Sequence, residues 1–252
     1  MSWFRSNFYS NAASVDWSNP VNHKLAGIFL LSDTSHTSTY DLARLVSDAV
    51  YAGTPTKTSG PHGPAMAFGT GKTSYASIVR SATVLVPNIQ TATELTVTAW
   101  INHASDQLGA VYAEDNTTFG ITFNCTVNVN KVQSAIYASG SWFVCASLTS
   151  IATNRWYHIA YTAGPGGQLV YINGILDNTN ASTATNSVGV TNTNRSVIGA
   201  YPNGGSYAST FDGSIESVML WKRQLKAREI FEQYSVPYNN LYGPNGFSNL
   251  LH

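Results

Sequence analysis

Short segments in which apolar and polar residues alternate with a period of two recur along this chain, and they limit its fold more than any other feature. The clearest is Leu95-Thr96-Val97-Thr98-Ala99-Trp100-Ile101. Positions 95, 97, 99 and 101 are apolar, while Thr96 and Thr98 face the other way. That alternation is a strand with one face buried and the other wet or covered. Strand-like segments recur at 26–31, 75–79, 82–86, 95–102, 108–113, 119–129, 132–138, 142–149, 156–163, 168–173, 196–200 and 214–221. They lie mostly 8–14 residues apart, with Gly, Pro, Asn and Ser between them, which predicts an all-β sandwich or barrel.

The punctuation is chemical. Gly164-Pro165-Gly166-Gly167 separates two strands and reaches positive φ without a steric penalty. Asn173-Gly174 is the strongest short hairpin signal in the chain. Pro61-His62-Gly63-Pro64 marks a rigid break before Ala65-Met66-Ala67-Phe68. One segment, Leu225 to Tyr234, reads as a helix. Leu225, Ile230 and Tyr234 share a side, and Lys226 and Glu229 point outward. A helix this short needs the sandwich beneath it. Residues 40–50 fit either a helical turn or a loop. The polar stretch 177–196 reads as a long exposed loop.

A chain of 252 residues is an ordinary size for one large β domain. Its formal net charge of +0 lacks the basic field that nucleic acids and membrane surfaces attract, so neither is an expected partner. Neutrality also leaves no repulsion between copies, which fits a homo-oligomer or a larger assembly. The longest apolar run, Leu25 to Leu31, falls far short of the ~20 residues of a membrane span. Residues 1–7 lack the pattern of a secretory signal, so synthesis in a cytoplasm without export is expected. Cys125 and Cys145 admit two states. They are either two buried thiols, as suits a reducing compartment, or a bridge worth roughly 3 kcal/mol.

The last third of the chain carries a family pattern. Trp156 and His158 stand in a strand similar to W-x-H-[VI]-A. Tyr171-Ile172-Asn173-Gly174 resembles a YVNG hairpin, and Phe211-Asp212-Gly213-Ser214-Ile215-Glu216 resembles F-x-G-x-I-D/E. Leu225 to Ile230 is similar to an LS-x-x-EI helix, with Lys226 in place of the small capping residue. Gly63 to Gly69 resembles G-x-A-L-x-F-D-G but departs from it at Gly69-Thr70-Gly71. Over residues 25–242 the chain resembles the laminin G-like branch of the concanavalin A-like lectin/glucanase superfamily. The resemblance implies a two-sheet antiparallel jelly-roll sandwich over residues 25–252, with a short C-terminal helix and an extended tail. It also implies a structural His158. The other histidines, at 23, 36, 62, 103 and 252, show no metal-ligand spacing.

Most of that superfamily binds and only part of it catalyses. A laminarinase-type site would need E-x-D-x-x-E on one strand, and the 13 Asp and Glu residues contain no such arrangement. Glu114 and Asp115 are adjacent, so on a strand they face opposite ways. No catalytic residue is expected. The resemblance implies a possible rim calcium, not a required one. Its candidate ligands are Asp106, Glu114, Asp115 and Asn116 on one set of loops, and Asp177, Asn178 and Asn180 on another. As an alternative, these residues simply form turns. Tyr112, Tyr137, Trp142, Tyr201 and Tyr207 could stack on sugar rings, or they could pack the core and rim of a chain that is 12% aromatic.

Residues 1–24 precede the family pattern and hold Trp3, Phe4, Phe8, Tyr9 and Trp17 among Ser and Asn. They form either an arm that docks on a partner or an extra edge strand on the parent domain. The tail Pro237 to Pro244 resembles the endings of stand-alone laminin G-like proteins encoded by phages and prophages. The function this implies is a non-enzymatic bacteriophage virion protein, a capsid decoration that docks on the major capsid protein or on neighbouring copies and displays a lectin-like face. A tail-associated adhesion lectin for surface carbohydrate and a glycan-processing enzyme are the alternatives.

Overall fold

The computed structural model describes residues 14–31, 37–69, 73–79, 81, 83, 87–116, 120–138, 140–183, 195–203 and 206–242. In chain order the strands are β1 (Ser14–Val15), β2 (Leu25–Leu30), β3 (Ser38–Thr39), β4 (Ala49–Ala52), β5 (Thr56–Ser59), β6 (Pro64–Ala67), β7 (Tyr75–Val79), β8 (Leu95–His103), β9 (Gly109–Asn116), β10 (Gly120–Asn128), β11 (Lys131–Ala138), β12 (Ser141–Ala146), β13 (Trp156–Gly164), β14 (Gly167–Ile172), β15 (Ile175–Asn180), β16 (Arg195–Ile198), β17 (Tyr201–Asn203), β18 (Ser206–Ala208), β19 (Gly213–Trp221) and β20 (Leu241–Tyr242). One α-helix, α1, spans Ala227–Ser235.

Two antiparallel sheets stack as a sandwich. The front sheet runs β12-β11-β10-β9-β16-β7-β4-β3. The back sheet runs β15-β14-β13-β8-β19-β6-β5, with β2 also paired to β19. The predicted alternation is what fills the space between them. Leu95, Val97, Ala99 and Ile101 of β8 meet Val132 and Ile136 of β11 in the main core. The expected two-sheet jelly-roll sandwich with a short C-terminal helix is therefore the fold of this chain. Among the described residues no helix is long and apolar enough to cross a membrane.

The back sheet has a second apolar layer on its outer side. Ile28, Met219 and Trp221 of the sheet pack there with Val15 and Val21 of the N-terminal segment, and with Leu225, Ile230 and Leu241. The helix lies on this layer, as its length requires. Leu225 and Ile230 are buried, and the Tyr234 ring stacks 5.8 Å from that of Trp100. At the helix start the Lys226 N–H donates to the Glu229 carboxylate at 2.8 Å. A side-chain acceptor three residues on thus caps the helix, although Lys226 itself has no oxygen to offer.

Residues 14–24, which precede the family pattern, run against this layer. β1 pairs with β20, and the Asn22 amide donates to the carbonyls of Asp16 and Asn240 at 2.8 and 2.9 Å. Trp17 stays exposed, while Trp3, Phe4, Phe8 and Tyr9 lie outside the described residues. The stretch 40–48 is a loop that leads into β4, and it is closed by Asp41, whose carboxylate accepts from Ile28, Ala43, Leu45 and Val46 N–H groups. The stretch 177–196 is not one long loop, because Asp177–Asn180 continue β15 and Arg195 begins β16. The segment 82–86 lies almost wholly outside the described residues.

Candidate functional site

Register decides what the front sheet shows to solvent. Phe143, Ile136, Phe123, Glu114, Ser196 and Ile78 are successive cross-strand partners from β12 through to β7. Ile136, Ile78 and Glu114 in this row are buried and face the back sheet. Period two then sends the next residues along each strand outward, in a parallel row. That row holds Trp142, Tyr137, Asp115, Arg195 and Val79.

Trp142 and Tyr137 face each other directly across β11 and β12. Their ring centroids are 5.4 Å apart with the planes tilted by 59°. Trp142 is 45% exposed, and Val144, two residues along the same face, is 41% exposed. Exposed apolar surface of this kind, with polar neighbours, is characteristic of a binding surface. A tilted pair of rings offers one large face and one edge, the geometry by which aromatic side chains hold the apolar face of a sugar.

Farther along the row the outward side chains are joined to one another. Arg195 Nε donates to Asp115 Oδ2 at 2.8 Å, and Nη2 donates to the same oxygen. Nη1 donates to the Ser206 carbonyl at 3.3 Å. The guanidinium lies 5.3 Å from the centre of the Tyr207 ring, and Tyr207 in turn stacks on Tyr75 at 3.9 Å. Burial works against the Arg195 charge, but the Asp115 carboxylate more than compensates and holds its pKa above the ordinary value. Burial, with the Tyr207 phenol beside it, pushes the Tyr75 phenol up. The β17–β18 hairpin, which carries Tyr201 and Tyr207, packs over β9 and β10.

The aromatic candidates therefore separate. Tyr137 and Trp142 come together on the surface. Tyr201 and Tyr207 sit on the neighbouring hairpin, with Tyr207 engaged inside the protein. Tyr112 is not on the surface at all. It is a core residue whose hydroxyl donates to Glu114 at 2.6 Å, and burial holds its phenol well above the ordinary range.

The oxygen candidates for calcium do not form one set. Glu114 is fully buried and also accepts from the Ile89 N–H at 3.1 Å. Asp115 faces the opposite way, onto Arg195. Asp106 is exposed on the loop after β8, and only the backbone of Asn116 is described. Asp177, Asn178 and Asn180 fasten the edges of the two sheets together. The Asn178 and Asn180 amides donate to the Ala146 and Val144 carbonyls at 2.7 and 2.8 Å, and Asp177 accepts from Leu148 and Thr149. Among the described residues no three His, Cys, Asp or Glu side chains gather as a metal group.

On the covered outer side of the back sheet, His158 is buried with its ring 5.3 Å from that of Trp100. Burial and the nearby His62 push its pKa down to about 3, so it stays neutral as a packing residue. Glu216 accepts from the His62 N–H at 2.9 Å and lies 3.0 Å from its Nδ1. Sequence reasoning missed Arg195 and Tyr75. Only the pairing of strands 80 residues apart brings Arg195 to Asp115.

A search of curated proteins returned no match. Among solved structures the chain is similar in fold to the binding domain of Paraclostridial Mosquitocidal Protein 1. The TM-score is 0.65 at 14% identity, over 87% of this chain and 53% of that one. It is similar to domain 4 of AbnA, a GH43 extracellular arabinanase from Geobacillus stearothermophilus in complex with arabinotriose. Here the TM-score is 0.58 at 16% identity, over 84% of this chain and 98% of that one. It is also similar to the Ruminococcus gnavus IT-sialidase CBM40 bound to α2,3 sialyllactose, with a TM-score of 0.56 at 15% identity, over 72% of this chain and 98% of that one. The chain spans about half of the mosquitocidal protein structure and 32% of a Trypanosoma rangeli sialidase that it also matches. At these identities the likeness is one of fold. The family model described as the concanavalin A-like lectin/glucanases superfamily, laminin G-like, matches residues 70–231, and this chain belongs to that family.

Proposed function

We propose that this protein is a non-catalytic carbohydrate-binding module, and that it works as a surface protein of a bacteriophage virion. The observation that carries the binding role is the Tyr137–Trp142 pair, two rings 5.4 Å apart on an open sheet face with Trp142 45% exposed. Membership of the lectin/glucanase superfamily supports the same class, as do structural neighbours solved as binding domains or with bound oligosaccharide. Hydrolysis gains no support from Glu114 or Glu216. Glu114 is sealed in the core of the front sheet, and Glu216 is tied to His62 on the far side of the back sheet.

The virion role is supported by the phage-like tail and by the direction in which the molecule faces. The paired terminal strands β1 and β20 belong to the layer outside the back sheet, and the aromatic pair lies outside the front sheet. A chain anchored through the segment that precedes β1, where Trp3, Phe4, Phe8 and Tyr9 stand, would therefore present the aromatic pair away from its anchor. Neutral net charge favours packing of copies side by side. Calcium is proposed only as an accessory, with the exposed Asp106 rim as the place to look.

Two experiments test the two levels. For binding, wild-type protein and Trp142→Ala are applied to an immobilised panel of neutral and acidic oligosaccharides that includes arabinotriose and α2,3-sialyllactose. Retention that disappears in the variant is the expected result, and no retention of wild type on any glycan contradicts it. For location, quantitative mass spectrometry of purified phage particles should find tens to hundreds of copies per virion. A handful of copies would move the protein to the tail as an adhesion lectin, and absence would end the virion role.

A further inference from the structure

We infer that Arg195 is a positioning residue for the carbohydrate face, which it serves by fixing the β17–β18 hairpin beside Tyr137 and Trp142; this rests on the carbohydrate-binding proposal above. The hairpin strands pair with each other and with neither large sheet, so no strand ladder anchors them. A lone two-stranded hairpin is marginal in water and needs side-chain contacts to hold its place. Yet this hairpin packs over β9 and β10, and β10 is the strand next to Tyr137 on β11.

One side chain makes the connection. Arg195 stands on β16, binds Asp115 of β9 through Nε and Nη2, and binds the Ser206 carbonyl of β18 through Nη1. Its guanidinium also underlies the Tyr207 ring of β18, and that ring stacks on Tyr75 of β7 with an interplanar angle of 23°. Arg195 therefore ties the hairpin to three strands of the front sheet at once. The planar fork explains the choice of residue, because a lysine ammonium cannot satisfy a carboxylate and a carbonyl in fixed directions while offering a flat surface to a ring. Each of the three guanidinium nitrogens already has a partner inside the protein. Arg195 thus acts on a bound sugar through the hairpin and not by touching it. The hairpin forms one wall of the face, and its position sets which saccharides fit against the two rings.

The test uses the full chain and three variants. Arg195→Met with Asp115→Leu removes both charges together and leaves neither buried alone. Arg195→Lys keeps the charge without the fork, and Tyr207→Phe keeps the ring. Hydrogen exchange is followed in residues 201–208 and, for comparison, in β8, β13 and β19. The same proteins are then applied to the oligosaccharide panel. In the double variant, exchange in 201–208 should rise at least tenfold while the three reference strands stay protected. The order of preference among glycans should change as well. Arg195→Lys should fall between, and so should Tyr207→Phe, which keeps the stacked ring but loses the hydroxyl that hydrogen-bonds the guanidinium. Unchanged exchange in the hairpin would overturn the clamp. Faster exchange with an unchanged order of glycan preference would overturn the positioning role. Wild-type protein that binds nothing on the panel would instead remove the carbohydrate proposal itself, and the clamp's role in binding with it.

Discussion

The indole Nε1 of Trp221 donates to the carbonyl oxygen of Val21 at 2.8 Å, which joins the end of β19 to a segment 200 residues earlier. Arg223 reinforces the junction by donating to the carbonyls of His23 and Val21, at 2.8 and 2.9 Å. Its guanidinium also grips Glu229 in the first turn of the helix at 2.6 Å. Burial alone would raise the Glu229 carboxyl, but Arg223 and the Lys226 N–H outweigh it and hold the carboxyl below the ordinary value. The N-terminal segment, the helix and the back sheet thus form one packed unit.

Trp221→Phe keeps most of the apolar contact and removes one of the two donors to the Val21 carbonyl, which still accepts from Arg223. It should lower stability by about 0.5–1.5 kcal/mol in urea unfolding. Trp221→Ala should cost about 3–5 kcal/mol, because it also opens a cavity in a fully buried site. Similar losses for the two variants would mean that the hydrogen bond outweighs the packing.

Asp41 organises the loop between β3 and β4. Four backbone N–H groups, of Ile28, Ala43, Leu45 and Val46, converge on its two carboxylate oxygens at 2.7–3.1 Å. Asp41→Ala should therefore destabilise by about 3 kcal/mol or more, since several donors lose their acceptor at once. Asp41→Asn can satisfy only part of the set and should fall between. A loss below about 1 kcal/mol for the alanine variant would show that water replaces the carboxylate.

Much of this fold can be read from local sequence. The alternation in 95–101 gave β8 its inward and outward faces, and Asn173-Gly174 turns with φ of 50° and 77°, as a tight hairpin demands. The glycine of the F-x-G motif has a physical reason, for at Gly213 a Cβ would lie 2.1 Å from the Asn102 carbonyl oxygen. Adjacent Glu114 and Asp115 face opposite ways, as the pleat requires. Non-local pairing hid the remainder. Asp177, Asn178 and Asn180 have the composition of a loop, yet they lie in a strand because β14 pairs with it, and their side chains bind β12 and the turn after it. The Arg195–Asp115 clamp depends on the register of β16 against β9, which no local pattern encodes.

His158 gives the protein a defined response to acid. Its folded pKa of about 3 lies below the ordinary 6.5, so the unfolded chain takes up a proton that the folded chain refuses. Its contribution is full above pH 6.5 and is lost as the pH falls from 6.5 towards 3, with a slope of about 1.4 kcal/mol per pH unit. Urea unfolding at several pH values in this window should give His158→Gln a shallower dependence by about that slope. Parallel profiles for variant and wild type would place the acid response on other groups.

Cys145 is a free, buried thiol whose pKa burial raises to about 11. Cys125 pairs with Ser134 on one side of β11, and Cys145 pairs with Ser134 on the other. Two strand spacings, about 9.6 Å, then separate their backbones, more than a disulfide spans. Iodoacetamide at neutral pH should leave Cys145 unmodified in the native protein and label it after denaturation without any reductant, as peptide mass spectrometry can establish. Labelling that requires reductant would contradict the strand register.

The central claim is that the Tyr137–Trp142 pair holds carbohydrate, and isothermal titration calorimetry of the best-retained panel glycan into wild type and Trp142→Ala tests it most directly. Saturable binding to wild type with at least a tenfold weaker Kd for Trp142→Ala, at unchanged thermal stability, is the predicted result, in line with about 1–2 kcal/mol for the loss of one aromatic contact. Equal affinity in the two proteins would contradict the account and move the sugar to another surface.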